Sequence, residues 1–134
     1  MKKIITTDND LIEVPLFAEL SRKQVRWASR LTTPLDFSAG EVLARQGSVG
    51  AEFFVVLEGV VEVVRDGDLI ATRGPGSPLG EIALLGARPR TATLIAQTPV
   101  HARVASQREF SGLLAEVPAI SERLHALMLE RLAA

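Results

Sequence analysis

A chain of 134 residues is long enough for one domain with a hydrophobic core and too short for two comfortable ones. Apolar residues make up 47% and charged residues 23%, which argues against disorder or a fibrous class, and a net charge of −1 offers no global field for nucleic acid or an anionic membrane. Cysteine is absent, so disulfides, thiolate metal sites and cysteine nucleophiles are excluded and a reducing compartment, the cytoplasm, is the expected location.

The start, "MKKIITTDND", reaches acidic residues before a signal-length apolar run develops, and no later stretch is long and apolar enough to span a bilayer. Neither secretion nor membrane insertion is expected. "DNDLIEVPLF" opens with helix-capping types at Asp8 to Asp10 and meets Pro15, so a short helix is predicted there. In "SRKQVRWASRL", Ser21 and Gln24 have capping-box spacing, while Val25, Ala28 and Leu31 share one face at helical period. Trp27 belongs to that helix and reads as a packing residue rather than a ligand platform.

From Leu35 the pattern changes to short runs of Val, Ile, Leu and Phe punctuated by glycine, the mark of antiparallel strands in a sandwich, roll or barrel. "RDGD" lies between "VVEVV" and "LIAT" and predicts a hairpin, because Asp-Gly takes positive φ at low steric cost. "TATLIAQT" and "VHARVA" read as two further strands with Thr98 and Pro99 between them. Ser106 and Glu109 then form a second capping box, and Pro118 suits a first helical turn. The final helix carries Ile120, Leu124, Leu127, Met128 and Leu132 along one stripe. The expected plan is one domain over 1–134: helices at about 8–31, a β-roll at about 35–105 and C-terminal helices at about 106–133.

The densest chemistry lies in "PLGEIALLGARPRTAT", residues 78–93. Gly74, Gly76 and Gly80 have the wrong spacing for a dinucleotide fingerprint, and no Gly-Lys-Ser/Thr follows for a Walker-type loop. Gly80 instead stands at the start of a short apolar helix, "EIALL", whose first amides and positive dipole end can receive a phosphate. Pro89 biases Arg88 towards extended backbone and leaves Arg90 to begin the next strand, from which its guanidinium can meet the same anion. A carboxylate at Glu81 would repel a phosphate, so it suits a neutral sugar hydroxyl. Thr91 adds a hydroxyl and Ala92 lets a ligand approach the main chain. The competing reading is an ordinary helical turn on the barrel, with Glu81 and Arg90 a solvated ion pair of little worth; spacing alone leaves both open.

The stretch "GSPLGEIALLGARPRTAT" resembles the phosphate-binding cassette of cyclic nucleotide-binding domains, the type found in the catabolite activator protein, the regulatory subunits of cAMP-dependent protein kinase and cyclic nucleotide-gated channels. The resemblance extends over nearly the whole chain through "LFAELS", "FSAGEVLARQG", "FFVVLEGVVEVV", "GPGS" and "REFSGLLAEVP", in the family's order. It implies a mainly β fold, an antiparallel, jelly-roll-like β-roll (double-stranded β-helix) with N-terminal helices and a C-terminal helical lid, the cassette spanning 76–93. It also implies that Gly80 opens the cassette helix, that the amides of Ile82 and Ala83 contact a cyclic phosphate and that Glu81 accepts from the ribose 2′-hydroxyl. Arg90 would pair with a phosphate oxygen, and Thr91 and Ala92 would complete the wall. Leu79 stands where phenylalanine is common, a change within apolar packing. Thr91 resembles the arrangement in channels that favour cGMP, whereas bacterial-looking members with a hydroxyl there are often cAMP binders, so cAMP is placed ahead of cGMP.

The resemblance makes the chain a sensor rather than an enzyme, with a cyclic nucleotide as ligand and no cofactor or metal. DNA-binding members carry a helix-turn-helix module after the long C-terminal helix; the sequence stops at Ala134, so no nucleic-acid partner is expected, and the chain is read as a free-standing sensor or a regulatory piece of a larger protein. Leu124, Leu127 and Met128 are candidates for a lid, and the same apolar face would serve a homodimer or an effector protein. A non-binding β-roll used for dimerisation or protein contacts is the alternative. A cupin-like enzyme is less favoured, because His101 and His125 lie far apart and neither sits in a paired metal motif; both read as surface or packing residues.

Overall fold

A computed structural model of the protein describes residues 9–50, 52–80 and 88–133. Helix α1 (Asn9–Ile12) leads into a 3₁₀ turn (Pro15–Phe17) and helix α2 (Arg22–Arg30). Ten strands follow: β1 (Thr33–Phe37), β2 (Val42–Ala44), β3 (Val49–Gly50), β4 (Phe53–Glu58), β5 (Val61–Arg65), β6 (Asp68–Arg73), β7 (Pro78–Leu79), β8 (Arg88–Pro89), β9 (Thr93–Ala96) and β10 (Val100–Ala105). Helices α3 (Gln107–Glu116) and α4 (Pro118–Ala133) complete the described chain.

The strands form two four-stranded antiparallel sheets, ordered β1-β10-β4-β7 and β2-β9-β5-β6, with β3 and β8 paired separately. This is the β-roll with flanking helices that the sequence implies. Ser21 and Ser106 each close a capping box, with Gln24 and Glu109 respectively. Asp66 and Gly67 both take positive φ, 53° and 84°, at the tip of the β5–β6 hairpin, as the Asp-Gly pair predicts. The roll begins at Thr33, slightly before the expected start.

Strand β4 explains why "FFVV" is apolar on both faces. Phe53 and Val55 point into a helical core with Leu11, Phe17, Phe110, Leu113, Ile120 and Leu124. Phe54 and Val56 point into the roll, against Val61, Leu79, Leu94 and Ala102. The Phe53 ring stacks on Phe110 with centroids 4.6 Å apart. Both faces of β4 are therefore dry, and the usual in/out alternation is lost along it.

The covered face also takes polar residues that alternation alone would send to solvent. Arg103 is buried on β10: Nε donates to both carboxylate oxygens of Asp10 at 3.1 and 3.2 Å, and Nη1 donates to the Ser29 carbonyl and the Thr32 hydroxyl. It ties α1 and the end of α2 to the sheet. His101, also buried, places Nδ1 2.7 Å from Asp36 Oδ1 on the neighbouring strand β1. His125 is exposed and contacts Ser121 one helical turn earlier. Trp27 is half-buried, with the Arg30 guanidinium 5.9 Å from its ring centroid.

Candidate functional site

Arg90 does not begin a strand. It follows the two-residue β8, which pairs with β3, and two residues separate it from β9. Its amide donates to the Ser48 carbonyl and its carbonyl accepts from the Gly47 amide, each at 2.8 Å. Pro89 keeps Arg88 extended, as predicted, and the main chain at Arg90 is thereby held in place.

The side chain is drawn inward. Arg90 is 6% exposed; Nη2 donates to the Glu52 carbonyl at 3.0 Å and lies 3.6 Å from the Glu52 carboxylate, which is itself 54% exposed. A guanidinium cannot shed its charge, so a buried one needs counter-charge or strong acceptors. Glu52 supplies a carbonyl at good distance and a loose, half-solvated carboxylate.

Gly80 stands against this group. Its φ is +79°, and a Cβ there would collide with the Glu52 carbonyl and come within 3.1 Å of Arg90 Nη1. Glycine is therefore required on two counts, conformation and space. Glu81, Ile82 and Ala83, and with them the short helix that Gly80 is expected to open, lie outside the described residues.

Gly80, Arg90, Thr91 and Ala92 all line one cavity of about 1180 Å³. Strands β5 and β6 contribute Val63, Arg65, Ile70, Ala71 and Arg73, and the 3₁₀ turn contributes Pro15 and Leu16. Thr91 is exposed, and its carbonyl accepts from Arg65 Nε at 3.1 Å. Arg90 also borders a smaller hollow of about 310 Å³ with Arg45, Ser48 and Glu52. Among the described residues, arginines recur in the larger lining (Arg65, Arg73, Arg90, Arg123 and Arg131) against one carboxylate there, Glu130, although the whole chain carries a net charge of −1, so cationic groups are concentrated here. Among the described residues no group of three or more His, Asp or Glu is placed to hold a metal ion.

The predicted apolar stripe of α4 divides. Leu127 and Met128 line the cavity, whereas Leu124 is fully buried in the helical core beside Ile120. Leu124 is thus a core residue in this structure, not part of the cavity's cover, because it lies on the part of α4 packed against α3 and the 3₁₀ turn. Glu52, Arg65 and Arg123 are site neighbours that residue patterns did not single out. Glu52 lies 38 residues from Arg90, and no local spacing announces such a contact.

A buried arginine beside a required glycine thus stands at the wall of a cavity in an antiparallel roll. The sequence matches the family described as "Cyclic nucleotide-binding domain" over residues 34–117. The chain belongs to that family. A cyclic nucleotide-binding domain of this kind resembles the cAMP-dependent protein kinase regulatory subunit of Yarrowia lipolytica, 36% identical over 63% of this chain and 22% of the relative. It also resembles the cyclic nucleotide-gated potassium channel RHE_CH03180 of Rhizobium etli, 35% identical over 88% of this chain and 33% of that one. The present domain therefore spans about a fifth to a third of these relatives. Among solved structures, cAMP-bound PfPKA-R superposes with a TM-score of 0.82 at 25% identity, covering 92% of this chain and 43% of the other. No helix among the described residues is long and apolar enough to cross a membrane.

Proposed function

We propose that residues 1–134 act as one regulatory sensor unit whose large cavity takes a cyclic 3′,5′-nucleotide, with cAMP as the first candidate. The buried Arg90 carries this reading. Among the described residues its guanidinium is held by a carbonyl and a loose carboxylate of Glu52 beside a cavity, so a phosphate oxygen can take up paired, charge-assisted bonds that Glu52 offers only weakly. Gly80 brings the chain close behind it, the amides of Ile82 and Ala83 serve the remaining phosphate oxygens, and Glu81 accepts from the ribose 2′-hydroxyl. Thr91 and Ala92 form the wall, and Leu127 and Met128 cover the base. The domain does no chemistry itself, works in the cytoplasm, and passes its state to a second copy or an effector through α4, whose Leu129 is 66% exposed.

Thermal unfolding with cAMP, cGMP and AMP in parallel tests the reading. A ligand present at a hundred times its Kd stabilises by about 2.7 kcal/mol. A cyclic nucleotide is expected to raise Tm while AMP leaves it unchanged, and the larger shift names the base. Indifference to all three would leave a roll that serves contacts only.

A further inference from the structure

Helix α4 changes role along its length. Ile120 and Leu124 are fully buried in the helical core, whereas Leu127 and Met128, one turn on, are half-buried and face the cavity. Arg123 stands at the change. Its Nη1 donates to the carbonyls of Leu16 and Ala18, both at 2.8 Å, on either side of Phe17 in the 3₁₀ turn. The turn closes on itself through Phe17 N to Val14 O and Ala18 N to Pro15 O, and its last carbonyls need donors from elsewhere. The guanidinium caps them.

The capped turn also touches the cavity's other wall. Pro15 and Leu16 line the cavity, and a Cβ on Gly76, in the loop before β7, would stand 3.2 Å from Pro15 Cδ. The turn thus lies close to that loop on one side and is bonded to Arg123 of α4 on the other. Apolar packing is non-directional and lets a helix slide or roll, whereas two hydrogen bonds at one rigid guanidinium set both its height and its rotation.

We infer that Arg123 is a positioning residue: it makes the 3₁₀ turn and the cavity-facing half of α4 one unit and so sets where Leu127 and Met128 stand over the ligand. What the unit covers rests on the cyclic nucleotide reading; the clasp does not. Hydrogen exchange on the whole chain tests the clasp without ligand. In Arg123→Leu, amides of residues 16–18 and 126–131 are expected to lose protection together by about tenfold, the size of a charge-assisted bond, while β4 and β10 keep theirs. Arg123→Lys keeps the charge without the planar fork and should lose less in the same two segments. Should the leucine variant fail to fold, the lysine variant decides by the same pattern. Equal loss in the strands and in α4, as any merely structural residue would cause, overturns the inference, and so does no loss at all. With cAMP, dissociation from Arg123→Leu is expected to be about tenfold faster at unchanged association; unchanged dissociation overturns the positioning of the cover. If the wild type binds no cyclic nucleotide, the functional reading falls while the exchange result still judges the clasp.

Discussion

Arg103 and Arg90 are withdrawn from water to nearly the same degree, 3% and 6% exposed, yet the regions that hold them are built differently. On the helix-covered face, Arg103 meets a largely buried carboxylate with two bonds from Nε, and a carbonyl and a hydroxyl with Nη1. At the cavity, the partners of Arg90 among the described residues are one carbonyl and one carboxylate at 3.6 Å, half in solvent. A buried cation with its acceptors in place is architecture; one held loosely beside an open cavity has capacity left for an anion. Burial alone would have ranked the two alike.

The largest expected effect breaks the architectural side. Arg103→Met leaves the Asp10 carboxylate, 20% exposed, without its counter-charge and should cost about 3 kcal/mol of stability, the low end for a broken buried pair because water still reaches Asp10. Tm is expected to fall by roughly 10 °C. Ligand affinity of the folded fraction should be unchanged, and a fall in affinity equal to that of an Arg90 variant would erase the distinction. The next effect breaks the other side. Arg90→Ala should weaken cyclic nucleotide binding by about 2 to 5 kcal/mol, roughly thirtyfold or more. Because Glu52 can be rehydrated, stability should change by less than about 1 kcal/mol. Titration calorimetry and thermal unfolding of the one variant separate the two numbers.

The same contrast marks what residue patterns could and could not convey. Both capping boxes, the Asp66-Gly67 hairpin and the two successive strands on either side of Thr98 and Pro99 were readable because each depends on neighbours a few residues apart. Gly80 and Arg90 could be singled out together because they lie in one short segment, and they do share a cavity. Arg103 was not readable: "VHARVA" reads simply as a strand, and the groups that take up Arg103 away from water, Asp10, Ser29 and Thr32, lie far off in sequence. The stripe on α4 was right in period but silent on what each turn meets, so Leu124 looked equivalent to Leu127 although one lies in the core and the other at the cavity. Partners such as Glu52 for Arg90, or Leu16 for Arg123, lie 38 and 107 residues away, and no period reaches across such distances.

The smallest effect sharpens the comparison most, because it asks whether the carboxylate beside each arginine plays the same part. Asp10 is an essential counter-ion for Arg103. Glu52 holds Arg90 chiefly through its main-chain carbonyl, which substitution of the side chain leaves in place. Its carboxylate, at 3.6 Å and more than half exposed, contributes little to stability, and on the proposed reading its charge opposes a phosphate brought to Arg90. Glu52→Gln should therefore leave stability within about 1 kcal/mol of the wild type and tighten cyclic nucleotide binding by a few-fold at low salt, the gain shrinking as salt screens the charge. Calorimetry at two ionic strengths measures both parts. Weaker binding in this variant would mean that Arg90 depends on the Glu52 carboxylate as Arg103 depends on Asp10, and that the cavity arginine is held by its ion pair before any ligand arrives.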